Sequence, residues 1–600
     1  MKGIKQLLCS LIFLCLVGNL FAQKDIKGLV KDGADGEPLI GVTVIVKEDN
    51  TIGTSTDIDG NFSLLVPDNA TLVFSYTGYS SQEIVVGDRT EIDVVMTEGL
   101  NELEEVVVVG YGVQKKSVVT GAISKIKSED LESMPVLRVE SALQGRVSGV
   151  RVTTASGAPG AGAVVRIRGT TTFGNSDPLY VVDGIPIGGG IDFLSQSDIE
   201  SIEVVKDANT AIYGARAANG VVLITTKKGT KGKPSLTYHG YYGVQNPWRK
   251  LRLLNATEYA TLLNEASAAD GGDILFEDPQ SFGEGTDWQD AVFNDNAPIQ
   301  NHEIGISGGG DNSTYYGSFS YFDQTGIVSA QNSRYQRFTA RINSEHKIGN
   351  RLTIGNRVAY THVKGTGVSE NSEFGSPLSR AINLDPITPL FETDPDKLAS
   401  QVFTDFPVVR DDQGRVYGIS ELVTSEVLNP VAALEVAQGF GFSDKVVANV
   451  SAQFEFFEGF TLRSEAGADL AFWGGEGFTP IFYLNASNRN DITRYSRNQN
   501  RGLKYILQNT LSFKRLFGNH DVWLTLGQSA EDNSGSGIGG SVQDIPVDNI
   551  DDASLLFFTQ PDLQSFGGFE YKDRLASYIC LLYTSPSPRD RTRSRMPSSA

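Results

Sequence analysis

The feature that most constrains the fold is the stretch 201–229, SIEVVKDANTAIYGARAANGVVLITTKKG. It opens with a short β-branched run, typical of a strand, and 211–218 is small and compatible with a helix. Asn219 and Gly220 favour the left-handed backbone that ends a helical turn, and an apolar β-branched run follows at 221–226. The pattern predicts a strand, a short helix and a second strand. Taken alone, it also fits one βαβ-like unit of a soluble α/β protein.

A second stretch lies just upstream, at 179–186, and reads LYVVDGIP. Together, the two stretches resemble the plug domain of the SusC/RagA family of TonB-linked outer-membrane proteins. The resemblance assigns 114–230 to a plug domain of α+β type. The residues of this sequence that carry the plug hallmark are Asp183, Gly184, Lys206, Asp207, Tyr213, Gly214, Arg216, Asn219 and Gly220.

Length, charge and cysteine content limit the alternatives. A chain of 600 residues is too long for one ordinary domain. The formal net charge of -21 argues against nucleic acid as a partner, because such proteins present a basic face. The only cysteines are Cys9, Cys15 and Cys580, so 23–579 offers neither disulfides nor thiolate metal ligands.

The first 22 residues predict a signal peptide. Lys2 and Lys5 provide the positive start, 7–17 is apolar, and Phe21-Ala22 is a plausible cleavage end. No later run reaches the ~18 apolar residues that a membrane-spanning helix requires. The exported protein is therefore expected to be either soluble or a transmembrane β-barrel, whose strands give a weaker signal.

Five short β-rich runs separated by turn clusters predict a small β-sandwich at 24–98. This segment resembles the carboxypeptidase-regulatory-like domain, which raises the hypothesis of a zinc peptidase. His302-Glu303 starts like the zinc motif HExxH, but the second histidine is missing. The sequence DIDGN at 57–61 lacks the flanking acids of an EF-hand loop and predicts a tight turn instead. We therefore expect no metal site and no enzyme activity.

Between the sandwich and the plug, 103–112 reads LEEVVVVGYG, and its valines favour an extended strand. An ordinary core strand is one interpretation. The resemblance instead places a TonB box within 99–113, formed by Glu105, Val106, Val107, Val108 and Val109. Such a strand could add to a sheet edge of the periplasmic protein TonB by β-augmentation.

Two features inside the plug invite other functions. The glycine-rich segment 157–163 lacks the Lys-Ser/Thr of a phosphate-binding loop and the third glycine of a dinucleotide fingerprint, so no cofactor is expected. Arg166 and Arg168 share one face of a strand and are expected to form salt bridges with the barrel wall.

Beyond Ser235, apolar and polar residues alternate with a period of two, as in 446–456 and 460–470. About ten strands are expected in 235–579, with tight turns at Gly349-Asn350, Glu458-Gly459 and Gly518-Asn519 and long connections at 364–443, 474–500 and 530–570. Short turns on one side and long loops on the other are typical of outer-membrane barrels, although a water-facing sheet also alternates.

Large plugged transporters use roughly 22 strands, so the barrel is expected to be incomplete and, as written, unable to insert or transport. The segment 580–600 abandons the alternation, resembles translated sequencing adapter and is expected to be a non-native tail.

The resemblance implies an outer-membrane transporter that imports oligosaccharides or peptides, takes energy from TonB, and works with a SusD-like surface lipoprotein in contact with outer-membrane lipid. Nothing in the sequence selects the nutrient or its contact residues. The alternative is a soluble, surface-exposed, β-rich binding or adhesion protein without energy coupling. Loss of 103–112 distinguishes the two, because only the transporter requires it.

Overall fold

The computed structural model describes residues 23–585, apart from 34, 48, 68–69, 77–78, 98–105, 110–111, 116–122, 133–137, 155, 424–425, 519 and 558–559. The predicted signal peptide and Glu105 lie outside the described residues. The chain divides into two compact units, of which the first comprises 1–107 and 113–120 and the second comprises 108–112 and 121–600.

The first unit contains two small sheets built from seven strands: β1 (Gln23–Asp32), β2 (Thr43–Val46), β3 (Asp49–Ser55), β4 (Asn61–Pro67), β5 (Thr71–Ser75), β6 (Gln82–Val85) and β7 (Val94–Met96). One sheet has the order β4-β1-β7 and the other the order β3-β2-β5-β6. Their alternating inner residues share one apolar core, which includes Ile26, Phe62 and Phe74. The predicted β-sandwich is confirmed.

The turn predicted at 57–61 is also confirmed. The Asp57 carboxylate accepts hydrogen bonds from the backbone N–H of Asp59 at 3.0 Å and of Asn61 at 2.8 Å. Gly60 has a φ of 76°, which suits the left-handed turn position. This carboxylate therefore closes a turn through backbone donors.

Phe74→Ala is expected to destabilise the first unit by about 3–5 kcal/mol, because the fully buried ring packs edge-to-face on Phe62 at 5.3 Å. Protease sensitivity of this unit in the full-length protein would report the effect. Leu65→Ala removes a side chain that is 56% exposed and should leave cleavage unchanged. Equal sensitivity of both variants would contradict the assigned core.

Two short strands, β8 (Val106–Val109) and β9 (Gly112–Lys115), form a two-stranded sheet that begins in the segment assigned to the TonB box and ends two residues beyond it. The plug follows with α1 (Ser128–Glu132) and seven strands: β10 (Ile123–Lys127), β11 (Val150–Thr154), β12 (Ala163–Ile167), β13 (Leu179–Val182), β14 (Ile185–Pro186), β15 (Ile199–Val205) and β16 (Val221–Thr226). Five of them form a mixed sheet of order β10-β15-β16-β13-β14, and β11 pairs with β12.

The structure corrects two details of the 201–229 prediction. β15 and β16 are antiparallel neighbours, so the segment is not a βαβ unit, whose strands would be parallel. The predicted helix is two 3₁₀ segments, Asp207–Tyr213 and Ala215–Ala217, interrupted at Gly214 with a φ of 73°. A single α-helix cannot pass through this backbone conformation.

The remaining chain forms an antiparallel sheet of ten strands, here called the wall, and a separate pair, β24 and β25. The strands of the wall are β17 (Gly232–Gln245), β18 (Ala297–Gly309), β19 (Ser313–Thr325), β20 (Arg334–Ile348), β21 (Leu352–Thr366), β22 (Gln438–Phe457), β23 (Phe460–Thr479), β26 (Arg494–Phe517), β27 (His520–Gln543) and β28 (Gln564–Ser585). The pair is β24 (Phe482–Asn485) and β25 (Asn488–Asn490). The expected strand number is confirmed, and consecutive wall strands are hydrogen-bonded throughout.

Several wall strands are longer than predicted. β23 continues to Thr479, β26 begins at Arg494 and β27 runs to Gln543, so the connections expected at 474–500 and 530–570 are much shorter. The prediction ended these strands where the apolar alternation ends. The polar, glycine-rich residues beyond that point still pair with the neighbouring strand, as Gly537 pairs with Asn500. β28 likewise continues six residues past 579, to Ser585, in register with β27.

The longest connections of the wall carry small helices: α2 (Ala256–Ala269), α3 (Trp288–Val292), α4 (Pro377–Asn383), α5 (Pro395–Leu398), α6 (Gln401–Asp405) and α7 (Pro430–Glu435). Further 3₁₀ segments are Val139–Leu143, Gln196–Asp198, Pro279–Phe282 and Pro561–Leu563. Trp288 links two of these connections, because its indole N–H donates to the carbonyl of Asp385 at 2.8 Å. Within the described residues, no helix is long and apolar enough to cross a membrane.

The wall buries its polar face and exposes its apolar face. On β20, Arg341 and Asn343 are each 3% exposed, whereas Ile342 between them is 62% exposed. On β22, Asn449 is buried and Val450 is 53% exposed. A water-soluble sheet shows the opposite arrangement, because its apolar face forms the core. The polar face of the wall packs instead against the plug, whose core includes Val447 and Ile506 of the wall.

Candidate functional site: the contact between plug and wall

The hallmark pair Asp183-Gly184 forms a two-residue hairpin turn between β13 and β14. The two residues have φ values of 49° and 88°, as a type I′ turn requires. The Asp183 carboxylate also accepts hydrogen bonds from the backbone N–H of Thr226 at 3.0 Å and from its hydroxyl at 2.7 Å. This turn is therefore tied to the end of β16, next to the wall.

Gly220 supports the second hallmark segment. Its φ is 93°, and an added Cβ would lie 2.7 Å from Cδ1 of Ile167. Asn219 holds the neighbouring loop, because its side-chain amide donates to the carbonyl of Asn175 at 3.1 Å. Tyr213 is buried in a small apolar cluster with Val221. These residues shape the plug itself.

Lys206 also acts within the plug, since its Nζ donates to the carbonyl of Ser148 and, at 3.4 Å, to the hydroxyl of Ser124. Asp207 begins the first 3₁₀ segment, and its side chain lies outside the described residues. Burial raises the pKa of the plug carboxyl Glu140, with a smaller contribution from Asp192.

Arg341 of β20 stands at the centre of the first charged cluster between plug and wall. Its guanidinium lies 3.4 Å from the carboxylate of Asp198 and 3.9 Å from that of Asp183. Tyr316 of β19 donates a hydrogen bond to Asp198 at 3.0 Å. Arg341 and both carboxylate side chains are less than a tenth exposed. Two buried plug carboxylates therefore share one guanidinium of the wall.

The hallmark residue Arg216 belongs to a second cluster. Its guanidinium lies 2.6 Å from Glu531 of β27, and Lys504 of β26 approaches the same carboxylate at 3.4 Å. Lys504 also donates to the plug carbonyl of Pro186 at 2.9 Å. Glu531 is only 8% exposed, so this contact is shielded from water.

A third contact involves the glycine-rich loop after β14. Asp469 of β23 accepts the backbone N–H of Gly188 at 3.0 Å, and Lys445 of β22 donates to the Gly188 carbonyl at 3.1 Å. The Lys445 ammonium lies 3.3 Å from Asp469 and 4.7 Å above the ring of Phe193. The three clusters hold the plug by hydrogen bonds and ion pairs, which can separate without breaking covalent bonds.

The salt bridge expected between Arg166 and the wall is wrong. Arg166 pairs with Asp177 of the plug at 2.5 Å, not with the wall. The chain turns sharply after β12, where Arg168 has a φ of 60°, so Arg166 and Arg168 do not continue one strand face. No sequence motif singled out Asp198, Arg341 or Glu531 as site residues. For Arg341 and Glu531, the available signal was the presence of charged residues on the polar face of the alternating strands.

The residues of the expected TonB box are only partly described. Val106–Val109 has strand backbone, consistent with the β-branched run, whereas Glu105 lies outside the described residues.

Among the residues that the structure describes, no group of three or more histidine, cysteine or acidic side chains could hold a metal ion. The hydrogen bonds and ion pairs of the three clusters suit reversible attachment of the plug to the wall.

Two family models match the chain. Residues 26–108 match the CarboxypepD_reg-like domain, and residues 115–221 match the TonB-dependent Receptor Plug Domain. The chain is 33% identical over 514 residues to TonB-dependent receptor SusC of Bacteroides thetaiotaomicron, covering 82% of this chain and 49% of that protein. The chain belongs to the SusC/RagA-type TonB-dependent receptors. This agrees with the resemblance found in the sequence.

Other similar proteins support the assignment. TonB-dependent receptor P3 of Formosa agariphila is 36% identical over 541 residues, covering 88% of this chain and 50% of that receptor. The chain spans about half the length of the curated relatives it matches. Among solved structures, the RagAB peptide importer in its open-open state superposes with a TM-score of 0.68 at 24% identity, over 80% of this chain and 55% of that chain. This last similarity shows the shared fold.

Proposed function

We propose that this receptor imports nutrient oligosaccharides or peptides across the outer membrane, with the plug as its gate. The observation that supports this proposal most strongly is that the wall exposes its apolar face and buries its polar face. Ile342 and Val450 are exposed, whereas Arg341 and Asn449 are buried on the face towards the plug. An apolar outer face suits lipid, and a polar inner face suits an aqueous path. The plug occupies that face and is held by separable polar contacts.

Energy would enter through the TonB box, Glu105 to Val109. A strand in this segment can pair with a sheet edge of periplasmic TonB, and a pull on it would be transmitted to the plug that follows. A SusD-like surface lipoprotein would serve as the second partner, consistent with the similarity to SusC. The signal-like segment 1–22 supports export to this location.

Deletion of Glu105 to Val109 from the full-length gene tests the proposal. We expect uptake of labelled oligosaccharide and peptide mixtures to fall to the level of a receptor-null strain, while the protein still fractionates with the outer membrane. A soluble binding or adhesion protein would tolerate this deletion and leave the membrane fraction on washing. Retained uptake in the deletion strain would refute energy coupling through this segment.

A further inference from the structure

An apolar pocket lies where the plug meets the connections between wall strands. Its volume is about 180 Å³, and the plug side is formed by the loop 156–159. The other sides come from Phe293, from the β19–β20 connection and from the segment 368–378. The apolar part of the lining includes Ala158, Pro159, Phe293, Ile327, Val368 and Leu378.

Several polar groups around the pocket are already hydrogen-bonded within the protein. The Ser156 hydroxyl accepts the N–H of Ala158 at 3.2 Å, and the Ser376 hydroxyl accepts the N–H of Ser379 at 3.1 Å. Gly326 donates its N–H to the Ser333 carbonyl at 2.7 Å, and its own carbonyl accepts the Asn294 amide at 3.2 Å. A sugar hydroxyl placed inside would therefore lose its hydrogen bonds to water with little replacement, which is unfavourable.

The plug side of the pocket is held in place by the wall. The N–H of Gly160 donates to the side-chain carbonyl of Gln324 at 3.3 Å, and its carbonyl accepts a hydrogen bond from Arg138. The ring of Tyr335 lies so close to Gly160 that an added Cβ would sit 2.1 Å from Cδ2. The loop that carries Ala158 and Pro159 is thus preformed, as expected of a binding pocket.

Size and chemistry together define one occupant. An apolar cavity of roughly 150 Å³ holds a benzene molecule, so the present volume suits one aromatic ring or one branched aliphatic side chain. Glu370 and Asn371 lie exposed at the pocket and offer acceptors that a peptide N–H or a sugar O–H can use, so the apolar lining is what distinguishes the two kinds of cargo. Building on the proposed import function, we propose that this pocket binds an apolar side chain of an incoming peptide, and that peptides rather than oligosaccharides are the cargo.

Equilibrium binding to the full-length receptor in lipid nanodiscs tests this inference. The probes are N-acetyl-leucinamide, N-acetyl-serinamide and maltotriose, followed by calorimetry and saturation-transfer NMR. We expect the leucine probe to bind roughly tenfold or more tightly than the serine probe, because only its side chain buries apolar surface. Maltotriose should not compete with it.

Leu378→Asp should weaken binding of the leucine probe at least tenfold, because it replaces apolar lining with a charge at the pocket wall, where Leu378 is 37% exposed. Phe374→Asp is the matched control, since Phe374 is close in sequence and similarly exposed, at 43%, but lies outside the lining. If the aspartate variant fails to insert into the membrane, Leu378→Ser replaces it, and the same weakening of binding of the leucine probe is expected. Equal affinity for leucine and serine probes, competition by maltotriose, or unchanged binding by the Leu378 variants would overturn the inference.

These measurements need neither TonB nor uptake. A receptor that binds the leucine probe but fails to import would therefore refute the proposed function and leave the pocket assignment standing. A receptor that imports but shows no preference for the leucine probe would refute the pocket alone.

Discussion

Val107→Pro in the full-length receptor is expected to reduce uptake to the level of a receptor-null strain, while membrane insertion and surface ligand binding stay unchanged. Val107 lies within the strand Val106–Val109, and β-augmentation gains its affinity mainly from main-chain hydrogen bonds. Proline removes one of these donors and fixes φ near the polyproline value, which interrupts the pairing. Uptake of labelled substrate by cells and affinity for purified TonB would measure the effect.

Val107→Ile is the matched control, because it keeps the backbone donor and the β-branched side chain. It should import at the parental rate and bind TonB normally. Import by the proline variant at the parental rate would mean that these valines form only a structural strand. The coupling segment would then have to lie elsewhere in the chain.

Arg341→Ala is expected to loosen the plug more than any other single change at its contact with the wall. It leaves the carboxylates of Asp183 and Asp198 buried without their shared cation. Removing one partner of a buried ion pair typically costs about 3–5 kcal/mol. We expect increased single-channel conductance of the full-length receptor in planar bilayers, together with increased entry of a bulky antibiotic into cells.

Two further variants show whether charge burial causes the effect. Lys231→Ala breaks a pair with Asp311 in which both side chains are more than half exposed, so conductance should not change. Asp198→Asn introduced together with Arg341→Ala removes one uncompensated charge and should restore part of the closed state. If Arg341→Ala conducts no more than Lys231→Ala, the cluster does not hold the plug.

Local structure was largely predictable from the sequence. The Asp57 turn and the ten alternating strands depend on backbone preferences and a period of two, which neighbouring residues encode. The errors arose where longer-range pairing took over. β15 and β16 are antiparallel neighbours, whereas the βαβ unit that also fitted this segment would have made them parallel. β23 and β27 extend through polar glycine-rich residues because the adjacent strands remain in register.

The functional assignment depended on both levels. The plug hallmark of 201–229 and the valines of 103–112 pointed to the receptor family from the sequence alone. Alternation could not determine which face of the wall is buried, because a period of two is the same for an inward and an outward apolar face. Nor could it pair Arg341 with Asp198 or Arg216 with Glu531, which are 143 and 315 residues apart. Only the tertiary structure decides these points, because seating the plug against the wall brings distant charges together in a space that water does not reach.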